Sequence, residues 1–130
     1  MGISSDLQRV IVARLKSAVP SVEGRVYDGP DEAAIMPHIT IGGSQVINDD
    51  AECIDAREEY LTIHIWASLM PDQNAAKVVR DEIIAAFRRY IPSATSLAMS
   101  EIWVQDMGLE PDPQAAAVHG RMVIAARIEE

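Results

Sequence analysis

From Glu59 to Ala67 the chain alternates without a break, with Leu61, Ile63, Ile65 and Ala67 on one side of an extended backbone and Thr62, His64 and Trp66 on the other. That period of two predicts a strand with one buried face. Its register is constrained, because a slip of one residue would turn the whole aliphatic row into water. The same pattern returns near the C-terminus. Over Glu101–Leu109, Ile102 and Val104 oppose Trp103 and Gln105; over about 118–128, Met122, Ile124, Ala126 and Ile128 alternate with Arg121, Val123, Ala125 and Arg127. Two shorter strands precede them. Arg25-Val26-Tyr27 is punctuated by Asp28-Gly29-Pro30, and Pro37–Ile41 is expected to end in a turn at Gly42-Gly43.

Two stretches carry the helical period instead. In residues 5–18, Leu7, Val10, Ile11, Leu15 and Ala18 share a face, Ser5 and Gln8 have capping-box spacing, and Pro20 stops the helix. In residues 71–90, Ala75, Val79, Ile83, Ala86, Phe87 and Tyr90 form the apolar stripe, and Ile91-Pro92 ends it. The order is therefore α-β-β-β-α-β-β within one domain spanning 1–130. Strand runs separated by a single helix favour an α+β fold over a doubly wound parallel sheet. The expected architecture is a mainly antiparallel sheet with both helices on one face, a three-strand meander before the long helix and a hairpin after it. A Pro-containing loop, Glu110-Pro111-Asp112-Pro113, is expected to join the last two strands.

Charge narrows the function classes. The net charge is −9, and residues 28–59 carry nine acids against Arg57 alone. Within that run, Asp49, Asp50, Glu52, Asp55, Glu58 and Glu59 form a candidate acidic channel or partner loop. The helices lean basic, through Arg9, Arg14 and Lys16 in the first and Lys77, Arg80, Arg88 and Arg89 in the second. DNA affinity comes largely from Lys and Arg neutralising phosphates, so an acidic chain without a dense basic stripe is not expected to bind nucleic acid specifically. No apolar run approaches the ~20 residues that span a bilayer. MGISSDLQRV lacks a basic stretch followed by an apolar run, so a chain made in the cytoplasm, without membrane partners, is expected.

No catalytic signature emerges. Cys53 is the only cysteine, which excludes an internal disulfide and a four-thiolate zinc site, and its acidic neighbours disfavour a thiolate. Gly42-Gly43-Ser44 follows a strand, but neither GxGxxG nor GxxxxGK[ST] surrounds it. Asn48-Asp49-Asp50-Ala51-Glu52 lacks the ligand offsets and central glycine of a calcium loop. His38, His64 and His119 lie on three different strands, yet nothing in their spacing forces the shared geometry that a metal needs. No cofactor, metal or catalytic residue is assigned. What remains is the face opposite the aliphatic rows. With only two helices, one sheet face is readily covered, so His64, Trp66 and Trp103 are candidate subunit-interface residues, aromatics being enriched at interface cores.

Several blocks in succession resemble the small tail-completion (tail terminator) proteins of long-tailed phages, prophages and gene-transfer agents. They are Gly24–Pro30, Met36–Gly42, Leu61–Ser68, the helical segments Ala75–Arg80 and Ile83–Phe87, and His119–Ile128. The resemblance runs from about Leu7 to Ile128 and matches least over Val46–Ala56. It implies a structural virion protein assembled in the host cytoplasm into the tail. There a ring, expected to be a hexamer, stops tail-tube growth and joins tail to head. The implied partners are further copies of the chain, a tail tube protein and a head-completion or connector protein; no catalytic residues come with the family. Two alternatives stand beside this reading. One is a small dimeric ligand-binding or enzymatic α+β domain, using His38, His64 and Tyr27 in a cleft between sheet and helices. The other is a different head-to-tail connector subunit.

Overall fold

The computed structural model describes residues 2–29, 35–48, 56–92 and 98–129, with side chains from residue 101 onward in the last stretch. The first helix, α1 (Ile3–Ala18), buries Leu7, Ile11 and Leu15. Its N-cap is Gly2 with no side-chain cap, so the capping box expected at Ser5 is not used. Ser5 already lies inside the first turn, and the neighbouring Ser4 hydroxyl turns to the sheet instead, donating to Glu59 Oε1 at 2.9 Å. Pro20 ends the helix by opening a 3-10 turn, Pro20–Val22, as its ring dictates.

The strands follow as β1 (Val26–Asp28), β2 (His38–Asn48), β3 (Ala56–Ser68), β4 (Ala98–Asp112) and β5 (Ala117–Glu129), with α2 (Asn74–Phe87) between β3 and β4. They form one sheet in the order β1-β2-β3-β5-β4, and every pairing is antiparallel except β1 with β2. This matches the expected α+β class and element order. The meander does not hold, because Val26, Tyr27 and Asp28 pair in parallel with Ile39, Thr40 and Ile41. Alternation tells which face a residue occupies and is silent about the direction of its neighbour.

Two punctuation signals were overridden by pairing. Gly42-Gly43 does not end β2; the strand continues to Asn48 through a register shift between Ile41 and Ser44. Glycine without a Cβ lets a strand absorb an irregularity and approach a neighbour closely. Likewise Pro111 and Asp112 belong to β4, and only residues 113–116 turn. β4 is an edge strand, where a proline without an N–H costs no ladder bond if that side faces away from the neighbour. The long helix is shorter than its sequence pattern at both ends, starting at Asn74 and stopping at Phe87.

Both helices lie on the face carrying Leu61, Ile63 and Ile65, which share one core with Leu7, Ile11, Val79, Ile83 and Phe87. Each such aliphatic side chain, fully removed from water, contributes about 1.5–3 kcal/mol. The helices are tied directly. Arg14 Nε donates to the Ala86 carbonyl at 2.8 Å, and its guanidinium lies 4.1 Å from the Tyr90 ring centroid. The other end is held by Glu82, which accepts from the Ser21 N–H and hydroxyl at 2.9 and 2.5 Å. Among the described residues, no helix lies on the opposite sheet face.

Candidate functional site

The uncovered face is set by strand parity. Register places His38 beside Trp66, Trp66 beside His119, and His119 beside Glu110, one row across four strands. The next row runs Thr40, His64, Arg121 and Gly108. In β3 these residues alternate with buried Ile63, Ile65 and Ala67, so they point away from the helices.

Within these rows the side chains interlock. The Trp66 and His119 rings stack at 4.2 Å between centroids with only 6° between planes. His64 Nδ1 lies 2.8 Å from His119 Nε2, a separation that requires an N–H on one ring and a lone pair on the other. The Trp66 indole N–H donates to Thr40 Oγ1 at 3.2 Å, which ties the stack to β2. Tyr27 extends the group onto β1, with its ring 5.8 Å from that of His38 on β2. Desolvation is the largest cause holding the His64 pKa below its ordinary value, followed by the charges of His119 and Arg121.

The glycine at the β2 bulge has its reason here. A Cβ built on Gly42 would lie 2.9 Å from His64 Nε2 and 3.1 Å from the Thr62 carbonyl oxygen. Only a residue without a side chain lets β2 pass under the imidazole. His64 and Trp66, expected to share a strand face, are thus brought together with His119, which the spacing alone could not place, and with Thr40 and Arg121, which the sequence did not single out. Their signal was present, since His119 and Arg121 share the parity opposite Met122 and Ile124.

Trp103 is on the same face but elsewhere. It pairs with Ala125, which pairs with Tyr60, six residues from Trp66 along β3. At about 3.3 Å per residue that is roughly 20 Å along the strand direction. Its indole N–H donates to Gln105 Oε1 at 2.8 Å. The candidate interface therefore consists of two separate aromatic spots.

The acidic run divides. Asp49, Asp50, Glu52 and Asp55 lie outside the described residues. Glu58 and Glu59 are in β3 rather than in a loop. Glu58 accepts a hydrogen bond from the Tyr60 hydroxyl, which is the main cause raising the Tyr60 pKa. Glu59 faces the helices and is 1% exposed. It accepts from Ser4 at 2.9 Å and from Arg57 Nη2 at 3.1 Å, so it joins α1 to the sheet and presents no charge to a channel. The strand parity that buries Leu61 buries Glu59 with it.

The ligand-cleft alternative meets the same geometry. His38, His64 and Tyr27 stand on the open face and not between sheet and helices. Among the described residues, no group of three or more His, Cys, Asp or Glu side chains is placed to hold a metal ion. No described helix is long and apolar enough to cross a membrane.

Residues 9–129 match the family model described as Tail completion protein gp17. No curated protein matches the chain in sequence. Among solved structures, a chain from the virion of a native gene transfer agent particle matches with a TM-score of 0.83 and 14% identity, covering 99% of this chain and 98% of that one. The structure of the bacteriophage SPP1 gp17 protein matches with a TM-score of 0.55 and 17% identity, over 98% of this chain and 90% of that one. At these identities the structural likeness speaks for the fold.

Proposed function

The chain belongs to the tail completion protein gp17 family, and from that premise we propose that it is a structural virion subunit that closes into a ring at the end of a tail tube. The ring stops tube growth and offers the surface on which tail and head join. The observation that carries this reading is the family match over residues 9–129. The likeness to a chain of a gene transfer agent virion, nearly end to end in both chains, is consistent with it.

A head-to-tail ring needs two different surfaces that complement each other. The open face with His64 and Trp66, together with an adjoining sheet edge, supplies one; the outer, basic face of the helices supplies the other. The sheet has two edges of unlike character. β4 carries Glu101, Asp106, Glu110, Pro111 and Asp112, charges and a proline of the kind that discourage strand addition. Among the described residues β1 pairs with Ile39–Ile41, and beyond the bulge Ser44–Asn48 carries no charge or proline in its sequence, with Val46 and Ile47 41% and 46% exposed. An edge without such guards is suited to contact with a neighbouring subunit. Six copies per ring, with tail tube and head connector proteins as partners, complete the proposal. The acids Asp49, Asp50, Glu52 and Asp55 are proposed to keep passing DNA from adhering, since negative charge repels phosphate.

Electron microscopy of the purified protein, alone and with tail tubes, tests the reading. Six-fold rings capping tube ends are expected, and tubes that elongate unchecked in the presence of the protein would overturn it. Replacing those four acids by their amides should leave ring formation intact and slow DNA ejection; unchanged ejection would remove their proposed role.

A further inference from the structure

We propose that His64 and His119 form a proton-operated latch on the open face: one hydrogen bond between the neutral or singly protonated rings holds the Trp66 stack, and a second proton breaks it. The inference starts from the 2.8 Å separation of His64 Nδ1 and His119 Nε2. With both rings neutral, one nitrogen donates its N–H and the other accepts. A first proton leaves one donor and one lone pair facing each other, so the bond survives. A second proton, taken from solvent onto the remaining lone pair, sets N–H against N–H and two cations in contact. The rings must then part.

Every element around the pair bears on that event. On β3 itself the same-face neighbours Thr62 and Trp66 are uncharged. β5 contributes Arg121, in register with His64, which disfavours further positive charge beside it. From β2 come Thr40, Gly42 and His38, the last in register with Trp66. From β4 come Glu110, opposite His119, and Asp106, whose carboxylate is 3.3 Å from Arg121 Nη1. Both helices lie on the far side of the sheet. Gly42 limits where the His64 ring can go, because its backbone closes the space beneath Nε2. His119 has no such floor in the described contacts and is stacked on Trp66, so its departure exposes the indole, which stays tethered through its N–H to Thr40. The latch belongs to the single chain and stands whether or not the ring reading holds; only its consequence for assembly would rest on that reading.

The test uses the full chain. Histidine ring signals are followed by NMR from about pH 8 to about pH 4.5, the range in which imidazoles titrate. Trp66 emission is followed in parallel in a Trp103→Phe variant, in which Trp66 is the sole tryptophan. The expected result is a two-step titration shared by His64 and His119, as coupled sites require, with Trp66 emission changing at the lower step. His64→Gln, whose side chain can hydrogen-bond but not take a proton, should abolish that step. One-proton curves for each ring, or Trp66 emission flat through the lower step, would overturn the proposal. Should His64→Gln fail to fold, the wild-type curves and the Trp103→Phe emission decide between the same two results.

Discussion

Replacing Gly42 by alanine adds one methyl group at the point where β2 passes beneath His64. The new Cβ would lie 2.9 Å from His64 Nε2 and 3.1 Å from the Thr62 carbonyl oxygen, where ordinary contacts begin at 3.4 Å. The imidazole must move by about half an ångström and the β3 backbone by a few tenths. Overpacking of this kind costs about 1–3 kcal/mol. Displacing the His64 ring also weakens its hydrogen bond to His119, a further ~0.5–1.5 kcal/mol. The expected loss is about 2–4 kcal/mol, which for a domain of this size lowers Tm by roughly 6–15 °C. Urea denaturation, read by circular dichroism, measures it. Two controls isolate the cause. Gly43→Ala meets nothing within 4 Å and should change stability by less than about 0.5 kcal/mol. In a His64→Ala background, the cost of Gly42→Ala should fall to the part due to the Thr62 carbonyl. Equal, small effects at Gly42 and Gly43, or a Gly42→Ala cost unchanged when the imidazole is removed, would refute the close-approach argument.

Three further outcomes are expected. Glu59→Ala strips Arg57 and Ser4 of a shared carboxylate in a 1% exposed site and should cost about 2–4 kcal/mol in urea melts, with Glu59→Gln, which keeps an acceptor, milder. Because the fold lowers the His64 pKa below 6.5, the unfolded chain binds the proton more readily. The contribution of His64 is therefore fully present above pH 6.5 and lost as pH falls from there through the folded-state value. Melting temperatures at several pH values should show this decline, and His64→Gln should flatten it. Arg14→Ala should destabilise by about 1–2.5 kcal/mol through loss of the Ala86 carbonyl bond and the Tyr90 contact. Arg14→Lys should recover little of this in thermal melts, since an ammonium cannot reproduce the guanidinium's Nε–H geometry together with its stack.

Much of this molecule is written in local pattern. The alternation in β3 and β5 assigns each residue to a face, and the helical stripes assign Leu7, Ile11, Val79 and Ile83 to the core. Side-chain direction in an extended or helical backbone repeats with a fixed period, so burial can be read without knowing the neighbours. The element order and the class of fold follow from the same signals, as does the placing of His64 and Trp66 on the uncovered side. The family assignment rests on the match of residues 9–129 to the family model, which no periodicity could supply.

Other features were decided only when distant strands came together. β1 pairs in parallel with β2, Gly42-Gly43 continues a strand instead of ending it, and Pro111 belongs to an edge. Each depends on which backbone lies alongside. Glu59 reads as one acid among many in sequence; its partner Ser4 lies 55 residues away, and only the seating of α1 on the sheet makes it a buried anchor. The His64–His119 contact likewise spans 55 residues and exists because β5 falls beside β3 in one register. A chain encodes side-chain direction residue by residue, whereas pairing partner, register and close approach are properties of two segments at once, and these determine the chemistry of the open face.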